Sequence, residues 1–164
     1  GYVSQKAVLL NGTVKFNIDF GKNIDMKTIK ESIKIAQASE FVEAMDKKYD
    51  SIIAPSGTNI SGGQKQRLSI ARAIAKNPEI YIFDDSFSAL DYKTDSILRK
   101  ELRKNMKDST VLIVAQRIGT IMNADKIIVL DQGKIVGIGK HKELLKNCNV
   151  YKEIALSQLS EEEL

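Results

Sequence analysis

The 164 residues include one cysteine, one histidine, two prolines and no tryptophan. A single thiol cannot close an internal disulfide, so Cys148 reads as a plain thiol in a chain suited to a reducing compartment. His141, with no cysteine or carboxylate cluster around it, makes no metal site and is expected as a surface residue of the tail. There are no Pro-rich, Ser-rich or repeated tracts, and therefore no linker. Long apolar runs are also missing. Ala7 to Leu10 and Val111 to Ala115 fall far short of the ~18 residues that span a bilayer, which excludes a transmembrane helix. The opening, Gly1-Tyr2-Val3-Ser4-Gln5, lacks the basic-then-apolar layout of a secretory signal and reads as a strand, as though the chain started in mid-domain. Charge of one sign is scarce too: 25 Lys and Arg against 21 Asp and Glu leave a formal +4. The bases are scattered from Lys6 to Lys152 with acids between them, which describes a solvated face better than a nucleic-acid surface.

What is present is 43% hydrophobic and 28% charged, enough to bury one core, and so one domain or part of one. Met26, Ile29, Ile33 and Ala36 mark one face of a helix after Asp25, and Phe41, Val42 and Met45 form a second amphipathic stretch after Ser39. Leu68, Ala71, Ile74 and Ala75 repeat at helical spacing from Gln64 to Lys76, where Asn77-Pro78 stops the helix. Ile80 to Phe83 and Thr110 to Val114 are continuous apolar runs, as expected of strands buried on both faces. Between them Asp91 can cap a helix with the stripe Ile97, Leu98 and Leu102. A hairpin around Asp131-Gln132-Gly133 follows, then helical segments near Lys142 to Lys146 and Tyr151 to Leu156. This alternation predicts an α/β fold with a mainly parallel sheet, whose ligands sit at the carboxyl ends of the strands.

Two constellations carry chemistry. Ile80 to Phe83 delivers Asp84 and Asp85 side by side at a strand end, where carboxylates suit a hard cation such as Mg²⁺; a turn capping the next segment accounts for them equally well. Asn59-Ile60-Ser61-Gly62-Gly63-Gln64 opens directly into a helix. Glycines allow close backbone approach, Ser61 adds a hydroxyl, and helix-start amides favour phosphate, although a bare Ser-Gly-Gly is more often only a loop. With Gln66-Arg67 and Ala71-Arg72-Ala73 behind it, this stretch resembles the signature motif of ABC-type ATPases. Val3-Ser4-Gln5 is similar to that family's Q-loop, Tyr81 to Asp84 to its Walker B strand, and Ser88-Ala89-Leu90-Asp91 to its D-loop. Leu10 to Ile18 and the tail from Gly139 to Leu145 with Tyr151 are similar to the exporter branch.

The resemblance covers essentially the whole chain. It implies the C-terminal part of a truncated P-loop NTPase domain over residues 1–164, with a helical signature subdomain at about 25–76 and core remainder at 1–24 and 77–164. It implies an ATP-driven motor that works as a pair, each signature motif closing over the nucleotide held by the other subunit. Asp84 and Gln5 would ligate or orient around Mg²⁺; Ser61, Gly62, Gly63 and Gln64 would meet the γ-phosphate of the partner's ATP; Asp91 would lie at the dimer seam. The segment after Gln5 would take a coupling helix of a transmembrane domain, placing the protein at the cytoplasmic face of the membrane, with no nucleic acid as partner.

The sequence departs from that pattern at four places. No Gly-Lys is followed by Ser or Thr, so the phosphate-binding loop that should precede the Q-loop is absent; truncation is the simplest account, and the fragment alone is expected to be inactive. Asp85 stands where the family has a glutamate acting on water; its carboxylate is drawn back by roughly 1.5 Å, and errors of about 1 Å can cost ~10²-fold. Gln116 stands where the switch histidine belongs and cannot carry a proton. Ala54-Pro55-Ser56-Gly57 replaces an acid and a base expected before the signature. The expectation is therefore the degenerate-site half of a heterodimeric exporter. The alternatives are a non-hydrolysing regulatory subunit and a DNA-repair or chromosome-maintenance ATPase, which would use the basic charge on DNA; Leu10 to Ile18 and the lack of coiled-coil heptads oppose the latter.

Overall fold

In the computed structural model, residues 1–160 are described, and they form two compact units, 1–114 and from 115 onward. In chain order the first unit comprises β1 (Tyr2–Val3), β2 (Gly12–Thr13), α1 (Val14–Asp19), α2 (Met26–Ile35), α3 (Ser39–Glu43), β3 (Ile52–Ile53), α4 (Gly62–Ala75), β4 (Ile80–Asp84), α5 (Tyr92–Asn105) and β5 (Thr110–Val114). Single 3₁₀ turns at Lys48–Asp50 and Pro55–Gly57 flank β3. The sheet that positions the chemistry is parallel in the order β1-β4-β5, with Val3 opposite Phe83 and Asp84 opposite Val114.

Four of the helix starts, those of α1, α2, α4 and α5, share one device. A short oxygen-bearing side chain just outside the helix accepts from an otherwise unpaired amide: Thr13 from Phe16, Asp25 from Thr28, Ser61 from Gln64 and Asp91 from Thr94, at 2.9 to 3.2 Å. The amphipathic stripes then face one core, where Ile29, Ile33 and Val42 pack with Leu68 and Ala71 of α4, Val3, Tyr81 and Phe83 of the sheet, and Leu98 and Leu102 of α5.

Two expectations fail in this unit. The strands are not buried on both faces: β4 alternates, and β5 is exposed at four of its five residues, Leu112 by 50%. Val3, Tyr81 and Phe83 face the helical core, whereas Tyr2, Ile80, Leu112 and Val114 belong to a face left open among the described residues. Apolar content alone does not say how many layers are present to cover a strand. On α5 the buried stripe is Leu98, Leu102 and Asp95 rather than Ile97, which is 40% exposed; Asp95 is satisfied by Arg99 at 3.0 Å, one helical turn on.

The second unit comprises α6 (Ile118–Ile121), β6 (Ile127–Asp131), β7 (Lys134–Gly139), α7 (His141–Asn147) and α8 (Asn149–Leu156). β6 and β7 form the expected hairpin, closed by Gln132 and Gly133, both at positive φ, as the right-handed strand twist requires of a two-residue turn. Ile118, Ile127, Val129, Leu144, Cys148, Tyr151 and Ala155 make a separate small core. Gly137 is required there: a Cβ would lie 2.9 Å from the Cys148 Sγ. His141 is not a surface residue. It is only 6% exposed, its Nδ1 lies 2.8 Å from the Tyr151 hydroxyl, and its ring meets that tyrosine edge-on. As the first residue of α7 it is turned onto Tyr151 of α8, a contact ten residues away that its charged sequence neighbours, Lys140, Lys142 and Glu143, do not reveal.

Candidate functional site

The carboxyl end of β4 carries the first cluster. Asp84 ends the strand, and the Tyr2 hydroxyl donates to its Oδ2 at 3.0 Å; that bond, with desolvation and the carboxylate charge behind it, pushes the Tyr2 phenol above its ordinary range. Asp85 breaks from the strand with φ at 45°, and its amide donates to the Val114 carbonyl at 2.9 Å. Left-handed backbone at a non-glycine residue is uncommon and gathers at functional turns, and Asp tolerates it better than most. The turn is tied to its neighbours. The buried Ser86 hydroxyl donates to the Val3 carbonyl at 2.8 Å, and the Ser88 hydroxyl to the Asp85 carbonyl at 2.9 Å.

Gln5 joins this cluster by a route other than the expected one. Its Nε2 donates to the Asp85 Oδ2 at 3.2 Å, so the structure brings Gln5 to the short carboxylate rather than to Asp84. Asp84 keeps oxygen-donor capacity beyond its tyrosine bond and fits a hard cation that takes one carboxylate and completes its shell with water and phosphate. No group of three or more His, Cys, Asp or Glu side chains among the described residues could cage a metal unaided. Mg²⁺ here would depend on a nucleotide.

The second cluster is the start of α4. Ser61 and Gln64 form a reciprocal capping box, the Ser61 Oγ accepting from the Gln64 amide at 3.2 Å and the Gln64 Oε1 accepting from the Ser61 amide at 2.9 Å. The first intrahelical bond runs from Lys65 N to the Ser61 carbonyl at 2.9 Å, which leaves the Gly62 and Gly63 amides at the positive end of a 14-residue helix. A Cβ on Gly62 would meet nothing within 4 Å, so that side is open to a ligand; a Cβ on Gly63 would come within 3.3 Å of the Ala89 carbonyl. Arg67, over the Phe41 ring at 5.0 Å and donating to the Gln37 carbonyl at 2.7 Å, braces the next turn. Asp91 caps α5; the Thr94 amide and then its hydroxyl hold the Asp91 carboxyl below the usual range, with Arg67 a weaker contributor.

Gln116 lies in the second unit and is described with it. Its carbonyl accepts from the Gln158 Nε2 at 2.8 Å, while the Gln158 Oε1 accepts from the Ile118 amide at 2.9 Å, so one terminal amide clamps the turn that carries Gln116. Sequence reasoning missed Gln158 and Tyr2. Tyr2 was legible in principle, because a parallel register between β1 and β4 puts a long side chain within reach of the strand-end carboxylate.

The family model for "ABC transporter" matches residues 1–88. The chain is 41% identical over 165 residues to ABC transporter B family member 1 of Dictyostelium discoideum, covering 99% of this chain and 18% of that protein. It is 43% identical over 150 residues to the toxin RTX-I translocation ATP-binding protein of Actinobacillus pleuropneumoniae (91% and 21%). It is 42% identical over 161 residues to an ATP-dependent lipid A-core flippase of Hahella chejuensis (97% and 28%). Among solved structures, a bacterial Atm1-family ABC exporter with ATP bound matches at a TM-score of 0.92 and 35% identity, over 96% of this chain and 28% of that one. The chain thus spans between 18% and 28% of the length of these relatives.

Proposed function

The chain belongs to the ABC transporter family, and from that premise we propose that it is the ATP-binding part of an exporter that uses ATP-driven dimerisation to move a substrate across a membrane. The observation that carries this reading is the capped glycine turn Ser61–Gly63, with two helix-start amides and an open approach at Gly62. In the proposal these amides and the Ser61 hydroxyl take the γ-phosphate of ATP held by a second ATPase subunit. Asp84, and Gln5 through Asp85, serve the nucleotide on this chain's own side. Mg²⁺, when bound, would neutralise phosphate charge; Asp84 would hold it in place. In this reading the chain works with a transmembrane domain; no helix among the described residues is itself long and apolar enough to cross a membrane.

We further propose that this chain's own site turns over slowly and that its partner is a different subunit. Two features support this. Asp85 already accepts a bond from Gln5 on a side chain one methylene shorter than glutamate, and Gln116 has an amide where a proton carrier is expected. The same features favour a second reading, a subunit that clamps nucleotide without any hydrolysis at its own site.

The test is ATP hydrolysis by the full-length protein alone and mixed with a candidate partner subunit. Turnover is expected only in the mixture, nearly abolished by Ser61→Ala and raised about tenfold or more by Asp85→Glu with Gln116→His. Equal turnover by the protein alone would refute the asymmetric pair. Full activity of the Ser61→Ala protein would refute the role given to the signature turn, and a rate unmoved by the double reversion would mean that the degeneracy lies elsewhere than at Asp85 and Gln116.

A further inference from the structure

The two carboxylates at the end of β4 are each engaged by a side chain from the first few residues of the chain. Tyr2 lies opposite Ile82 in the parallel register, and alternate residues of a strand share a face, so Asp84 stands one diagonal step beyond Tyr2, within reach of a phenol. The Tyr2 hydroxyl donates to the Asp84 Oδ2 at 3.0 Å. Three residues on, the Gln5 Nε2 donates to the Asp85 Oδ2 at 3.2 Å, on a residue whose φ of 45° has turned it out of the strand. Tyr2 is 61% exposed on an edge strand, so the bond to Asp84, rather than packing on all sides, fixes the phenol. A phenol is protonated at neutral pH and meets a carboxylate as a donor. Its bond therefore engages one of the two oxygens that Asp84 can offer and leaves Oδ1 for a cation.

How many oxygens one carboxylate supplies separates the hard cations. Mg²⁺ binds through few carboxylate oxygens and keeps several waters, whereas Ca²⁺ collects more oxygens and readily takes both from one carboxylate. We propose that Tyr2 is a positioning residue that sets cation specificity: its hydroxyl confines Asp84 to ligation through one oxygen and so favours Mg²⁺ over Ca²⁺ at this chain's own nucleotide site. This rests on the reading of Asp84 as the carboxylate that holds the cation. Tyr2 touches neither cation nor nucleotide; it acts through Asp84. Chelation through both Asp84 oxygens has to displace or share the phenol bond, and recruiting Asp85 instead has to disturb its bond from Gln5.

The experiment uses the full-length transporter assembled with a partner subunit unable to bind nucleotide, in excess over a non-hydrolysable ATP analogue, so that only this chain's site is loaded. Bound Mn²⁺ is followed by electron paramagnetic resonance and displaced with Mg²⁺ or with Ca²⁺, in the wild type, in Tyr2→Phe, which keeps the ring and loses the donor, and in Asp84→Asn. In Tyr2→Phe the ratio of the Ca²⁺ to the Mg²⁺ displacement constant should fall by about five- to tenfold, the size of one net hydrogen bond, through tighter Ca²⁺ binding. A merely structural role would move both constants by the same factor. That result, or a ratio within about twofold of the wild type, overturns the proposal and leaves the reading of Asp84 standing. Failure of the wild type to bind Mn²⁺ with the analogue, or an Asp84→Asn protein that binds it as the wild type does, overturns both.

Discussion

Arg72 is the residue whose loss should be felt most sharply, and the structure gives a scale for it. From the middle of α4 its Nε donates to the Asn17 carbonyl at 2.6 Å, its Nη1 to the Val8 carbonyl at 2.9 Å and its Nη2 to the Asn17 Oδ1 at 2.9 Å, while the guanidinium lies 5.1 Å from the Phe20 ring centroid. Asn17 is wholly buried and already accepts from the Leu10 amide and donates to the Leu10 and Thr13 carbonyls. Arg72 thus completes a polar knot that holds the segment after Gln5 against the signature helix. Hydrogen bonds from a charged donor contribute about 1.5–3 kcal/mol each, and burial, which pulls the Arg72 pKa below its ordinary value, takes back part of the total. A net contribution of about 3 kcal/mol is reasonable, equivalent to roughly 150-fold in a local opening equilibrium. Arg72→Met should therefore speed exchange of the Leu10 amide, bonded to Asn17 Oδ1, and of the Phe20 amide, bonded to the Phe16 carbonyl, by about two orders of magnitude. Arg72→Lys should recover little, because an ammonium cannot span three acceptors set for a planar fork. Exchange at Leu10 and Phe20 within twofold of wild type would show that the knot does not hold the segment.

Two other outcomes are expected. Burial first, and then the bond to Glu43 at 2.6 Å, raise the Tyr49 pKa to about 12, so its neutral form is favoured in the folded chain; that contribution is whole below the ordinary value near 10 and is lost as pH rises towards 12. Tyr49→Phe should flatten the alkaline arm of a stability-versus-pH curve in that window, and an unchanged slope would contradict the assignment. Gly137→Ala places a methyl 2.9 Å from the Cys148 Sγ and 3.0 Å from the Leu144 Cδ2, and overpacking of this kind costs about 1–3 kcal/mol, to be read as a lowered midpoint in thermal melting; a midpoint at or above wild type would mean the small core yields freely.

How far the sequence could be read depended on whether the determining contact was local. Caps and stripes were legible: Asp25, Ser61 and Asp91 each cap the helix they precede, because an Asx or Ser oxygen reaches an amide three residues on whatever lies beyond. The helix α1 was not foreseen, since its six residues are held by Asn17 and by Arg72 from 55 residues away, a contact that no window along the chain contains. Burial was legible only on the helical side of the sheet. Ile80 and Leu112 are as apolar as Tyr81 and Phe83, and only the packing layer distinguishes them. The candidate site divides the same way. The Ser61–Gln64 box could be predicted from spacing, but the partnership of Gln5 with Asp85 and the grip of Gln66 on the Ser4 carbonyl depend on strand register and helix placement together.

The burial of Cys148 has a practical side. The thiol is 6% exposed and packed under Gly137, with the Val136 carbonyl as its nearest acceptor at 3.8 Å. Maleimides and methanethiosulfonates need a solvent-accessible thiolate, so within these residues the native background towards such reagents is close to silent. A cysteine introduced on the exposed turn at Thr58 would then be the one group to take a spin label or fluorophore, placing a reporter three residues ahead of the signature serine without any need to remove the native thiol.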